Sequence, residues 1–285
     1  MSGTGLLKPI GLVTVSFRSG KEIAQLIDSL KLATQNPVEV VVVDNFPGGD
    51  KDLSGQLKGR KFKLVSRPDN PGYGAGMNSG IETLPKDVEL VLVVNPDVSL
   101  RSGAIDEMIA AIGENGVGAV GPRIIEQNGE TYPSARSIPS LRLGIGHALF
   151  GNILPQNPWT RSYLRQGDYD STRDAGWLSG ACLLVKRSAF DSIGGFDPGY
   201  FMYFEDVDLG YRLGAAGYRS VYAPTAVVEH EGGHSTKGIS KLMLKAHHDS
   251  ATRWISTRYS GPVWAPIRWS IKIGLRVRLF INGRR

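Results

Sequence analysis

Residues 38–45, VEVVVVDN, decide the fold. The run Val40 to Val43 leaves no polar face. A strand apolar on both sides belongs in the middle of a sheet covered on both faces, which is the habit of parallel sheets. Asp44 and Asn45 stand at its C-terminal end. Upstream, IGLVTVSF (10–17) reads as a second buried strand. Between the two, KEIAQLIDSLKLA (21–33) sets Ile23, Leu26, Ile27 and Leu30 at helical spacing, and Asn36-Pro37 closes the helix. Downstream, KFKLVSR (61–67), VELVLVVNPDV (88–98) and VGAVGP (117–122) read as strands, with SGAIDEMIAAIGE (102–114) as a helix. The βαβαβ alternation predicts a doubly wound α/β unit whose ligands sit beyond the strand C-termini. Asp44, Asn70, Asn78 and Asp97 fall on that edge.

Three shorter patterns bear on chemistry. Gly72, Gly74 and Gly76 fail G-x-G-x-x-G from either start, since Met77 and Ser79 hold the closing positions; a turn into a helix at GMNSGIETL remains. Asn95-Pro96-Asp97 offers one carboxylate, which holds Mg²⁺ or Mn²⁺ only if phosphate oxygens complete the shell; alone, it is equally a turn. FEDVDLGYR (204–212) places Glu205, Asp206 and Asp208 among Phe201, Tyr203, Phe204 and Tyr211. Burial and like charge both raise a carboxyl pKa, toward the range where a base works near neutrality. The competing reading is a helix start with acids at its positive end.

The 285 residues carry a net charge of +6, and the charge is unevenly placed. From Lys237 onward there are 11 Lys and Arg against one acid, Asp249. Such a tail expects an anionic surface. From Val263 to Ile281, Ile267, Ile271, Leu275 and Leu279 stack at i,i+4 beside Arg268, Lys272 and Arg276, which predicts a helix lying in a membrane surface; a strand and packing on the core are the rivals. The single Cys182 excludes an internal disulfide. The opening MSGTGLLKPIGLVTVSF has no signal-peptide pattern, and no run is long enough to span a bilayer. Residues 127–175 read as a long excursion with helix around LRLGIGHALF, its arginines lining a loop that could clamp a diphosphate.

VVVDN, NPGYGAGMNSGI, VVNPDV, WLSGACLLVKRSAFDSIGGFD, FMYFEDVDLGYRL and AVVEHEGGHS occur in one order. Over residues 10–236 that order resembles family 2 glycosyltransferases of the GT-A fold, most of all their bacterial rhamnosyltransferase branch. The resemblance implies a GT-A domain over 1–236, with a nucleotide-sugar half at 10–122, an acceptor and catalytic half at 123–236, and the basic tail at 237–285. It implies an inverting, metal-dependent transfer of L-rhamnose from dTDP-L-rhamnose to a polyprenyl-diphosphate-linked N-acetylglucosamine in cell-wall linker biosynthesis. By the same resemblance Asp44, Asn70, Asn78, Asn95 and Asp97 serve the donor. Asp97 binds Mn²⁺ or Mg²⁺, and His230 is a ligand of the same metal or a diphosphate contact, with His234 as the competing histidine. Trp177, Ser179, Gly180 and Ala181 line the acceptor side. The first strand ends SFRS where relatives often carry Asn and Tyr, and Asn95 stands where an acid is usual.

Within FEDVDLGYR, helical geometry turns Glu205 and Asp206 about 100° apart and Asp208 roughly 200° from Asp206. Asp206 shares a face with Leu209, and the resemblance selects the second acid of the pair. Asp206 is therefore the expected base, with Glu205 orienting the acceptor and Asp208 structural. The expected partners are the nucleotide sugar, the lipid-linked acceptor and an anionic membrane at its cytoplasmic, inner face; homo-oligomerisation is left open. Alternatives are another nucleotide sugar with a polysaccharide acceptor, or a non-catalytic sugar-nucleotide sensor. Nucleic acid is not expected: Trp254, Tyr259, Trp264 and Trp269 could stack on bases, but no recognised motif accompanies them.

Overall fold

Val40 to Val43 are buried in the middle of a strand flanked by parallel neighbours on both sides. The computed structural model describes residues 8–140, 169–230 and 241–282. Its strands are β1 (Ile10–Ser16), β2 (Val38–Asp44), β3 (Lys63–Ser66), β4 (Leu90–Val94), β5 (Val98–Leu100), β6 (Val117–Glu126), β7 (Thr131–Tyr132), β8 (Ala135–Arg136), β9 (Arg173–Ala175), β10 (Trp177–Leu178), β11 (Cys182–Lys186) and β12 (Arg219–His230). Its helices are α1 (Gly20–Ala33), α2 (Leu53–Gln56), α3 (Tyr73–Glu82), α4 (Ala104–Ile112), α5 (Arg187–Ser192), α6 (Glu205–Ala215), α7 (Lys241–Arg258) and α8 (Ala265–Asn282).

The main sheet runs β3-β2-β1-β4-β11-β6-β12-β5. The first four strands are parallel, as the valine run requires. The second half is mixed: β11 is antiparallel to both β4 and β6, and β12 runs parallel to β6 but antiparallel to β5. The sequence stretch 88–98 is thus two strands. Asn95-Pro96-Asp97 breaks it because proline has no N–H for a ladder. The chain then re-enters the sheet at its far edge, where His230 pairs with Val98.

Glycine lets α3 sit close to the sheet. A Cβ on Gly80 would lie 2.4 Å from Val13 Cγ1 and 2.8 Å from Val43 Cγ2. Gly72, at φ 96°, lies under the Phe201 carbonyl, 2.1 Å from where its Cβ would be.

The C-terminal region, expected as a basic tail from 237, contains helices α7 and α8. Helix α7 packs against the 177–207 region: Trp254 joins a buried cluster with Trp177, Tyr200 and Val207, and Ala251 is buried. Helix α8 then folds back along α7. Arg268 donates to the carbonyls of Tyr259 and Gly261, fixing the elbow between them. Ile267, Ile271 and Leu275, expected to face lipid, are half-buried; the open apolar side carries Val263, Trp269 and Ile273. The helix expected around 141–150 lies outside the described residues.

Candidate active site

The break after β4 and the end of β12 bring two distant residues together. His230 Nε2 lies 3.1 Å from Asp97 Oδ1, and both side chains are largely buried. The β5–β12 register creates the pair, since Asp97 precedes β5 by one residue and His230 closes β12. Two neighbouring ligands of an octahedral ion with bonds of ~2.1 Å lie roughly 3 Å apart. The spacing and the mixed oxygen and nitrogen donors therefore fit a divalent ion. Among the described residues no cluster of three or more acidic, His or Cys side chains could hold one. The remaining positions would fall to water and phosphate oxygens. His234 lies outside the described residues.

The 179–181 segment ties this corner to the acidic helix. Asn95 N–H donates to the Ala181 carbonyl at 2.9 Å. The neighbouring Gly180 N–H donates to Asp206 Oδ2 at 3.1 Å, and Val207 N–H donates to Oδ1 at 2.8 Å. Tyr73 Oη donates to the Gly180 carbonyl at 2.7 Å, so the peptides on both sides of the Gly180 Cα are held. Ser179 N–H donates to the Ser134 carbonyl at 2.7 Å, and its Oγ accepts from Ala181 N–H. Gly180 and Ser179 thus position Asp206 through their backbones, and Ser179 is buried.

Three carboxylates open α6 and have three environments. Burial raises the Asp206 pKa above the ordinary aspartate value, while the Gly180 and Val207 amides and the Arg136 charge draw it back. Glu205 is more enclosed: burial and the Asp206 charge push it up to about 8, and its Oε2 is buried without a hydrogen-bond partner. Asp208 is bound to Arg212 Nε at 2.6 Å, and Arg212 in turn donates to the Ile193 carbonyl. Asp208 is therefore occupied by its own helix.

The turn into α6 is strained. Tyr203 and Phe204 have φ of 67° and 66°, a conformation that costs about 1–3 kcal/mol for each non-glycine residue. Strain of this kind persists where surrounding contacts over-determine it. Here Tyr73 N–H donates to the Phe201 carbonyl at 2.9 Å, which ties the turn to the glycine-opened start of α3.

At the other end of the edge, Asp44 is buried below a loop. Its Oδ1 accepts from Phe46 N–H and its Oδ2 from Asp50 N–H. The loop lines an open cleft of about 600 Å³ with Arg18, Lys51 and Gln56. The Arg18 guanidinium stands 4.1 Å from the centre of the Phe46 ring. Asn70, at φ 43°, ends the turn between β3 and Gly72.

Asn78 and Trp177 each bond to backbone. Asn78 donates to the Phe196 carbonyl and accepts from Phe196 N–H, which fixes the 194–197 turn and engages both ends of its amide. Trp177 is 7% exposed, donates to the Ser137 carbonyl and packs below α6, where a Cβ on Gly210 would lie 2.6 Å from its own Cβ. It forms a floor under α6. Of the loop arginines, Arg136 stacks on Tyr132 and Trp177, and Arg173 stacks on Tyr222. Arg142, Arg161 and Arg165 lie outside the described residues.

Sequence reasoning missed Asn45 and Tyr73. Asn45 is buried and donates to the Gly72 carbonyl at 2.9 Å, joining the end of β2 to the start of α3. Its position beside Asp44 at a strand end was the available signal. Tyr73 carried none beyond its place among glycines.

The model of the family described as "Glycosyl transferase family 2" matches residues 12–194. The N-acetylglucosaminyl-diphospho-decaprenol L-rhamnosyltransferase of Mycobacterium tuberculosis (strain H37Rv) is 42% identical, over 96% of this chain and 92% of its own length. Rhamnosyltransferase WbbL of Escherichia coli (strain K12) is 26% identical over 65% of this chain and 71% of its own. Among solved structures, a mannosyltransferase from Pyrobaculum calidifontis, in complex with GDP-Man and Mn²⁺, superposes with a TM-score of 0.60 at 14% identity. It covers 94% of this chain and 70% of that one, and shares the fold.

Proposed function

This chain belongs to glycosyl transferase family 2, and from that premise we propose that it moves L-rhamnose from dTDP-L-rhamnose to a polyprenyl-diphosphate-linked N-acetylglucosamine. The observation that carries the proposal is the near full-length likeness to the mycobacterial rhamnosyltransferase, joined to a site with the parts such a transfer needs. The glycosyltransferase assignment rests on the family; the sugar and acceptor are the proposal.

The acceptor hydroxyl must lose a proton as its oxygen attacks the anomeric carbon, and the dTDP leaves from the opposite face. Asp206 is the group that takes the proton. Its carboxylate is held by two backbone amides, and its raised pKa makes it a stronger base than an ordinary aspartate. Glu205, kept neutral near pH 7 by its surroundings, adds no second negative charge beside it. Its protonated carboxyl is the donor available to orient a sugar hydroxyl.

At the donor end, Asp97 and His230 would hold Mn²⁺ or Mg²⁺, which supplies charge compensation to the departing diphosphate. Asp44 shapes the 46–50 loop at the nucleoside end, with Arg18 over Phe46 as the aromatic and cationic wall. Asn95 fixes the Asp97 turn through its backbone, and Asn70, in the turn before Gly72, is a further donor contact of the proposal.

The acceptor's lipid tail places the reaction at a membrane surface. No helix among the described residues is long and apolar enough to cross a membrane. Helix α8 is the proposed contact, at the inner face. Trp269 is 71% exposed and Ile273, one turn on, 44%. Basic side chains near anionic lipid contribute about 1 kcal/mol each.

The test is a thermal-shift screen of nucleotide sugars with Mn²⁺, followed by transfer to a short-chain prenyl-diphosphate N-acetylglucosamine. Ligand binding to the native state raises the melting temperature by mass action. dTDP-L-rhamnose should give the largest shift and a rhamnosylated product. A larger shift and product with another nucleotide sugar would replace the proposed donor.

A further inference from the structure

Helix α7 reads the strained turn before the catalytic helix residue by residue, in reverse order. Arg253 grips the start of the segment. Its Nη2 donates to Asp197 Oδ2 at 2.7 Å and to Oδ1 at 3.0 Å. Its guanidinium lies 5.2 Å from the Tyr200 ring centre, and it closes over Gly199, where a Cβ would be 2.1 Å away. One turn earlier, Ser250 Oγ donates to the Met202 carbonyl at 2.8 Å. One turn earlier again, the His247 ring meets Tyr203 at 5.3 Å and Phe204 at 5.6 Å, both edge-on. These last two are the residues with positive φ. At its far end α7 holds α6 itself: Trp254 stands edge-on to Tyr211, and Arg258 lies 4.0 Å over the same ring.

We infer that α7 is a splint for the base, and that His247, Ser250 and Arg253 are positioning residues for Asp206. Nothing else among the described contacts holds the Met202 carbonyl or packs on both left-handed aromatic rings. The turn determines where α6 begins, and α6 begins with the Glu205-Asp206 pair. A turn released from the splint would relax toward ordinary backbone and carry the Asp206 carboxylate off the Gly180 amide. The donor corner at Asp97 and His230 is built on β4, β5 and β12 and would stay in place. The inference rests on the assignment of Asp206 as the base, and its prediction is therefore a selective one: turnover falls while donor binding holds.

The experiment uses the full chain with His247→Ala and Ser250→Ala combined. Three quantities are read: turnover with dTDP-L-rhamnose and short-chain prenyl-diphosphate N-acetylglucosamine, calorimetric donor affinity, and amide exchange of the 200–206 peptide. Turnover should fall about tenfold or more, the scale of a sub-ångström to ångström misplacement of a reacting group. Donor affinity should stay within about twofold, and exchange in 200–206 should quicken roughly tenfold for loss of the hydrogen bond and ring contacts. His247→Phe with Ser250→Thr, which keeps the ring and the hydroxyl, should restore all three. Unchanged exchange in 200–206 overturns the splint, whatever the turnover. Equal loss of donor affinity and turnover also overturns it, because the effect would not be confined to the base. If the double variant does not fold, Arg253→Lys carries the same readouts with the charge retained. Asp206→Asn is the control: if it turns over normally, the base assignment fails, and the exchange data still judge the splint.

Discussion

Gly180 N–H donates to Asp206 Oδ2, and the next residue's carbonyl accepts from Asn95. Two peptides with one between them thus pin the proposed base of one half of the site and the proposed metal turn of the other. A transfer reaction needs the attacking and departing groups on opposite sides of one carbon. Three successive peptide units, 179–180 to 181–182, set that separation with little freedom. Tyr73, holding the Gly180 carbonyl, stiffens the same link. Tyr73→Phe removes that bond and should cut turnover several-fold, with donor affinity unchanged in calorimetry; wild-type turnover would show that the link does not need it.

The metal corner predicts a two-ligand dependence. Asp97→Ala, His230→Ala and EDTA should each abolish transfer, because the leaving diphosphate is then uncompensated. Metal affinity should be weak for the protein alone and rise with dTDP present, since only two protein ligands are at hand among the described residues. Titration of Mn²⁺ with and without dTDP, followed by electron paramagnetic resonance, checks this. Full transfer after metal-free dialysis into EDTA would contradict it.

Glu205 predicts a stability signature. Its folded pKa is raised from 4.5 to about 8 by burial and the neighbouring Asp206. A carboxyl raised on folding stabilises the native state below its unfolded pKa and loses that contribution as pH rises through its folded pKa. Relative to Glu205→Gln, the wild type should therefore lose stability between pH 4.5 and about 8. Urea unfolding of both proteins across that range measures the difference. Parallel curves would mean that Glu205 is not buried as a neutral acid.

The C-terminal helices predict two separable losses. A chain ending after Ser260 keeps α7 and should retain activity on a soluble acceptor analogue while losing anionic liposome binding. A chain ending after Ser240 also loses buried Trp254 and should be grossly destabilised; removing a buried Trp side chain alone costs about 3–5 kcal/mol. Trp269→Glu with Ile273→Glu should reduce liposome sedimentation without changing the melting temperature, because both side chains are open to solvent. Unchanged sedimentation of that variant would remove α8 as the contact.

How much of this was legible follows from which contacts are local. The buried parallel strands announced themselves through uninterrupted apolar runs such as Val40 to Val43 and Leu90 to Val94. The acidic cluster and the Asn95-Pro96-Asp97 turn were visible as short motifs. The Asp97–His230 pairing came from family resemblance alone, because it depends on a strand register across 133 residues. The backbone partners of Asn78 and Trp177 were not legible, since neither sequence position reveals where its polar group is bonded. The packing of α7 could have been read: His248, Ala251 and Trp254 recur at i, i+3 and i+6 and are buried. The density of basic residues around them drew the reading toward a surface tail instead.

The central claim is that Asp206 takes the acceptor proton, and one comparison tests it most directly. Turnover and calorimetric donor binding are measured side by side for Asp206→Asn, Glu205→Gln and Asp208→Asn. Asp206→Asn keeps the side-chain shape but removes the proton acceptor, so turnover should drop by about 10²-fold or more at unchanged donor affinity. Asp208→Asn should lower stability through the Arg212 pair and leave turnover per folded molecule near wild type. Wild-type turnover in Asp206→Asn, with Glu205→Gln inactive, would place the base one residue earlier and contradict the account.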